Sequence, residues 1–165
     1  MHRMHLTVLL AVIGVCVGYV LQSGASLPDT VATHFGWSGV PDGHMSRGGY
    51  LTLYVAILVG VPGVVALLPP ALARGAGHGL NIPNRKYWLA PARRQATAEF
   101  LTSHGCLLGG VLALLLTSVH ALIVEANGRQ PIALNVSSLW PVLLLFVVAT
   151  VVWVVAFQRR FRKGT

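Results

Sequence analysis

Residues Tyr50 to Ala73 read YLTLYVAILVGVPGVVALLPPALA, a run without a single charged side chain. A helix needs about 20 predominantly apolar residues to cross the hydrocarbon core of a bilayer, and a run this long is read as a span. Three further runs share its character: Met4 to Gln22, Leu101 to Val124 and Leu139 to Phe157. Hydrophobic residues make up 55% of the 165 positions and Asp, Glu, Lys and Arg only 10%. A soluble domain carries about 25% charged residues, so lipid must solvate much of this surface. The expected fold is an all-α integral membrane protein. It is a single domain over residues 1–165 with spans at about 4–22, 50–73, 101–124 and 139–157.

Charge placement orients the spans. Arg3 precedes the first run; Arg74, Arg85, Lys86, Arg93 and Arg94 lie between the second and third; Arg159, Arg160, Arg162 and Lys163 follow the fourth. Ten basic residues therefore share one side. The other side has only Arg47 and Arg129, together with Asp29, Asp42 and Glu125. The positive-inside rule then places both termini in the cytoplasm and the loop between the first two spans outside, in a bacterial inner (plasma) membrane. The net charge of +8 sits in short blocks beside apolar runs, a pattern of topology rather than of nucleic-acid binding. Arg3, the apolar stretch and Ser23-Gly24-Ala25 loosely resemble a secretory signal, and we read the segment as a retained first helix.

Glycines four apart, Gly14 with Gly18 and Gly105 with Gly109, mark expected helix contacts. Pro62 predicts a kink in the second span and Pro69-Pro70 its breakdown. Trp140 suits the start of the fourth helix, with Pro141 in its first turn. Pro91 opens a helix running through Glu99 and Phe100 into the third span. Cys16 and Cys106 lie inside apolar segments, where a cysteine behaves as a small hydrophobe.

Two segments are more than membrane. From Leu27 to His44 the chain is dense in turn-formers; Thr33-His34-Phe35 reads as extended and Pro41-Asp42-Gly43 as a turn. We expect a compact outer cap, a small hairpin lying on the bundle, with His34, Phe35 and Trp37 supplying its contacts. Between the second and third spans, Asn81-Ile82-Pro83-Asn84 is a shaped turn, followed by Tyr87 and Trp88 at headgroup level and by arginines suited to anionic lipid headgroups.

These segments carry a resemblance. Leu27-Pro28-Asp29, Thr33-His34-Phe35, Gly39-x-Pro41-Asp42-Gly43 and the basic Arg47 together resemble a signature of a bacterial membrane family of unknown function. That family includes the amino-terminal half of the immunity protein against the sporulation-delaying toxin. Asn81-x-Pro83-Asn84-x-x-Tyr87-Trp88-Leu89-Ala90-Pro91 with Arg93-Arg94 is similar to a second signature in its short relatives. Ala32 stands where the family usually has proline, Gly36 where asparagine is common, and Arg47 where lysine is usual. The resemblance implies a multi-pass membrane protein and, in one branch, toxin immunity with signalling.

The chemistry expected of the chain is modest. His34, Asp42, His44, His120 and Glu125 on the outer side form the inventory of a Zn or Cu site, without HxH, HxxxH or HExxH spacing to enforce convergence. The alternative is that His34 bonds the loop backbone, His44 is solvated and His120 bonds a neighbouring helix. Only four carboxylates exist, with Glu99 across the membrane from the other three, and no nucleophile elbow, P-loop or dinucleotide fingerprint occurs. The reading leans away from an enzyme. It favours an immunity- or sensor-like membrane protein that uses His34, Phe35, Trp37, Pro41, Asp42 and Gly43, with Asn81, Asn84, Tyr87 and Trp88 on the other face, to contact a peptide, toxin or protein partner. The alternatives are an accessory subunit of a membrane complex, docking through glycine faces and Trp153, and a metal-binding membrane protein.

Overall fold

A computed structural model describes residues 2–162. Four long helices, α1 (His2–Gly24), α2 (Arg47–Arg74), α4 (Pro91–Asn127) and α5 (Val136–Phe161), alternate in direction. All four are long and apolar enough to cross a membrane, and together they make a multi-pass membrane protein. Between α1 and α2 stands an antiparallel hairpin of β1 (Thr30–Phe35) and β2 (Pro41–Ser46), so the chain is helical in the bundle but not throughout. A one-turn helix, α3 (Arg85–Trp88), lies in the long connection at the opposite, basic end. Lys163, counted with the basic tail, falls outside the described residues.

The central element is α4, against which α1, α2 and α5 all pack. At 1.5 Å per residue its 37 residues extend about 55 Å, well beyond a ~30 Å hydrocarbon core. Its opening turns, from Pro91 at the first helical position through Arg93, Arg94 and Glu99, therefore project past the apolar layer. The expectation that Pro91 starts this helix holds.

Gly105 and Gly109 mark the α2–α4 contact. A Cβ placed on Gly105 would lie 2.9 Å from the Cα of Ala66 and 2.9 Å from the carbonyl oxygen of Val65, and one on Gly109 would lie 3.0 Å from that of Pro62. This contact also explains why α2 does not break at Pro69-Pro70, as its sequence predicts, but continues to Arg74. Prolines at 69 and 70 remove the amide protons that would bond the carbonyls of Val65 and Ala66. Those carbonyls face Gly105, whose Cα–H groups are weak donors at a helix contact, and neighbouring helices commonly support prolines in this way. Gly14 and Gly18, by contrast, have open space around them and make no helix contact. α1 instead buries Leu9, Ile13, Cys16 and Val20 in a cluster with Leu58, Ala66, Cys106 and Ala113.

Two further expectations need correction. Pro41-Asp42-Gly43 is not the turn but the first half of β2; the chain reverses at Gly36–Val40, where Gly39 N–H bonds the carbonyl of Gly36 at 2.8 Å. Gly39 has φ +80° and its carbonyl accepts from Leu134 N–H at 2.9 Å, so the turn is pressed against the chain entering α5. α5 begins at Val136, three residues before the expected start, which puts Pro141 in its second turn.

Candidate functional site

The hairpin is tied to the bundle at three points. Arg47, the first residue of α2, donates to the carbonyl of Leu27 at 2.9 Å and to Asp29 Oδ1 at 3.0 Å, while its own N–H bonds the carbonyl of Asp29 at 2.9 Å. Leu27 below is buried with Val31, Tyr50 and Ile123. The Leu-Pro-Asp and basic parts of the first signature thus serve to staple the α1–β1 connection to the start of α2. At the far edge of β1, Asn127 accepts from Ala32 N–H at 2.8 Å and donates to the carbonyls of Ala32 and Ile123, each at 2.9 Å. Its amide takes the place of a neighbouring strand at the end of α4. The third tie is the Gly39–Leu134 contact.

Beneath the hairpin a polar cluster joins three helices. His120 of α4 is completely buried; its Nδ1 pairs with the Tyr50 hydroxyl at 2.8 Å and its Nε2 with Ser23 Oγ at 3.0 Å. Tyr50 stacks on the imidazole with ring centres 5.7 Å apart, Tyr19 meets it edge-on, and the Tyr54 hydroxyl donates to the carbonyl of Leu116 at 2.5 Å. His120 thus bonds two neighbouring helices, with both ring nitrogens engaged. Buried polar groups in lipid need partners, and here they fix α1, α2 and α4 in register.

The remaining candidates of this end are arranged around the hairpin tip. His34 and Asp42 form an exposed hydrogen bond across the strands, so His34 bonds a side chain rather than loop backbone. Phe35 is half-buried on the Leu27–Val31 cluster, Pro41 and Gly43 are half-buried, and His44 is exposed. Trp37, at the tip, is 96% exposed. Between the tip and the start of α5 lies a cavity of about 420 Å³, lined by His34, Phe35, Trp37, Asp42, Trp140 and Leu143 among others.

The metal inventory does not assemble. His120 is enclosed by Tyr50 and Ser23, His34 is paired with Asp42, and Glu125 with Arg129 one turn on. Among the described residues no group of three or more His, Cys, Asp or Glu converges. Each carboxylate at the hairpin end has its own basic partner, Asp29 with Arg47, Asp42 with His34 and Glu125 with Arg129. That arrangement leaves no carboxylate pair for acid–base work.

At the basic end the second signature folds onto the bundle. Leu80, Ile82, Trp88 and Leu89 are buried with Ala73, Ala98, Leu101 and Phe161. Asn84 takes a left-handed conformation (φ 51°) before α3 and its side-chain amide reaches the carbonyl of Phe161 at 3.5 Å. Asn81 and Tyr87 are exposed, with Arg93 stacked 4.0 Å over the Tyr87 ring. Trp88 is buried, packed edge-on against Phe161 beneath Arg160. Trp153, expected as a docking residue, is turned inward and donates to the carbonyl of His104 at 2.8 Å.

Asn127 and Tyr50 are the structural residues that the sequence reading missed. Asn127-Gly128 reads as an ordinary helix end, and Tyr50 with Tyr54 as aromatic filling; only their four-residue spacing opposite an intramembrane histidine hints at the cluster.

A model of the domain of unknown function DUF1648 matches residues 9–58. The match runs from Leu9 of α1 through the hairpin to the buried Leu58 of α2, covering the first signature and ending before the second. It is less than a third of the chain. No curated protein and no solved structure matches.

Proposed function

We propose that this chain is a small inner-membrane binding protein, immunity- or sensor-like, whose outer hairpin contacts a peptide, toxin or protein partner. The ten-to-two distribution of basic residues favours both termini in the cytoplasm and the hairpin outside. One observation carries the reading: Trp37 is 96% exposed at the tip of a hairpin whose other parts are held by Arg47, Asn127 and Leu134. A large aromatic on a rigid support, beside the His34–Asp42 hydrogen bond and a cavity of about 420 Å³, has the make-up of an anchor at a binding surface. The residues of this end then divide. Leu27, Asp29 and Arg47 build the hairpin, while His34, Asp42 and Trp37 face the partner.

The test places photoreactive benzoylphenylalanine at exposed Ser38, beside Trp37, in the host cell, both in the otherwise unaltered protein and in the His34→Ala/Trp37→Ala protein. A light-dependent adduct with one peptide or protein, absent from the His34→Ala/Trp37→Ala protein at equal insertion, supports the reading. Adducts with lipid alone make Trp37 an interfacial anchor, and loss of insertion makes the tip structural; either result removes the proposal.

A second reading, an accessory subunit, draws on α5. Along its most apolar stretch no residue is buried, whereas each of the other three spans buries several. Lipid covers such a face equally well, so this reading rests on finding a second chain at constant stoichiometry after mild extraction.

A further inference from the structure

The basic end holds a feature that neither the hairpin nor the helix packing uses. Along α4 between α2 and α5 runs a groove of about 430 Å³ within the apolar layer, walled by Val64 and Leu68 on one side and Trp153 and Phe157 on the other. Its floor includes Gly105 and Leu108, and its lining is almost entirely apolar. At its mouth the groove reaches Leu80, Asn81 and Ile82, and the same three residues border a second, open cavity of about 570 Å³ with Asn84, Arg85, Lys86 and Tyr87. An apolar slot thus leads directly to an amide and two cations.

From this continuity we infer that the groove and its rim form a binding site for one anionic phospholipid. One acyl chain lies along α4 between α2 and α5, and the headgroup phosphate is held by Asn81, Arg85 and Lys86. The acyl chain supplies fit but no selectivity, because leaving the bilayer for an apolar groove removes no apolar surface from water. Selection therefore rests on the headgroup. Among the described residues no carboxylate pairs with Arg85 or Lys86. The positive-inside rule requires only that cations lie near this end. It does not require them on a folded platform, yet here the loop is set by left-handed turns at Gly77, Gly79 and Asn84 and anchored by buried Leu80, Ile82 and Trp88.

The experiment is native mass spectrometry of the full chain in mild detergent, titrated separately with dioleoyl-phosphatidylglycerol and dioleoyl-phosphatidylcholine. Two cations near a membrane surface are worth on the order of thirtyfold in affinity for anionic lipid. The expected result is one retained phosphatidylglycerol, preferred by about that factor. Arg85→Gln/Lys86→Gln brings the preference to near parity with helix content unchanged. Leu108→Trp fills the groove floor and lowers phosphatidylglycerol retention; should that variant fail to fold, Val64→Phe at the exposed wall fills the slot instead. Equal retention of the two lipids by the unaltered protein overturns the proposal. So does a preference that survives loss of both cations, or phosphatidylglycerol retention unaffected by the groove-filling variant. Trp37→Ala leaves lipid retention unchanged, so this result stands or falls separately from the hairpin's partner.

Discussion

Replacing Asn127 with alanine should release the hairpin from the bundle while leaving the bundle folded. Asn127 is 8% exposed and Ala32 fully buried, and their three hydrogen bonds, at 2.8 to 2.9 Å, include both backbone polar groups of Ala32. The carbonyl of Ile123 lies one turn back in α4 and keeps its helical donor, so alanine strands two groups, the N–H and the C=O of Ala32. A buried backbone group without a partner costs about 1–3 kcal/mol, so the pair costs about 2–6 kcal/mol. Water entering at the rim favours the lower end of that range. About 2 kcal/mol corresponds to roughly a thirtyfold rise in the population of the open hairpin. Hydrogen exchange followed by mass spectrometry in detergent should show that increase in peptides covering Thr30–Phe35, with protection around Leu58 and Ala113 unaltered. Hairpin exchange within twofold of the original protein would refute the reasoning. Uniform loosening of all four helices would refute it differently, by showing that hairpin and bundle open as one unit.

Gly105→Ala should lower thermal stability in detergent by about 1–3 kcal/mol, because its Cβ meets α2 backbone rather than a yielding side chain. Gly110→Ala, with open space around it, should be neutral to mildly stabilising, and equal losses at both positions would contradict the packing. His120→Phe leaves the buried Tyr50 hydroxyl without its partner while Ser23 keeps the Tyr19 carbonyl, and adding Tyr50→Phe should recover about 1 kcal/mol. A double-mutant cycle with no coupling would mean that the pair does not fix α2 against α4. Trp37→Ala should change stability by less than about 0.5 kcal/mol, since the exposed side chain supports nothing below it. A larger loss would mark the tip as structural.

The parts of the fold that could be read from sequence rest on short-range rules. Uncharged runs gave the four helices, Pro91 gave the start of α4, and turn-forming residues near an extended Thr33-His34-Phe35 gave a hairpin. Misreadings arose where one segment's behaviour depends on another. Pro69-Pro70 break a helix in isolation, but here Gly105 of α4 faces the carbonyls they leave free. Pro41-Asp42-Gly43 is a good turn sequence that lost to Gly36–Val40, where the turn also bonds Leu134. Gly14 and Gly18 have the same spacing as Gly105 and Gly109 but face away from the bundle. Spacing identifies a face without saying what covers it. Nothing near Asn127 in the chain announces that its amide will complete a strand 95 positions earlier.

The same distinction applies to the candidate site. A resemblance built on Leu27, Asp29, Thr33, His34, Asp42 and Arg47 invites the view that all of these residues meet a ligand. The geometry sorts them by what already satisfies them. Leu27 is in the core, Asp29 and Arg47 hold each other and the α1–β1 connection, and Thr33 Oγ1 lies 3.5 Å from the carbonyl of Gly43. His34 and Asp42 satisfy each other but remain at the surface, whereas Trp37 has 96% of its surface still exposed. A residue whose bonding capacity is consumed by the fold explains why the fold persists. A rigidly presented residue with its surface unused is the place where a partner gains most from contact, and that criterion puts Trp37 ahead of the histidines.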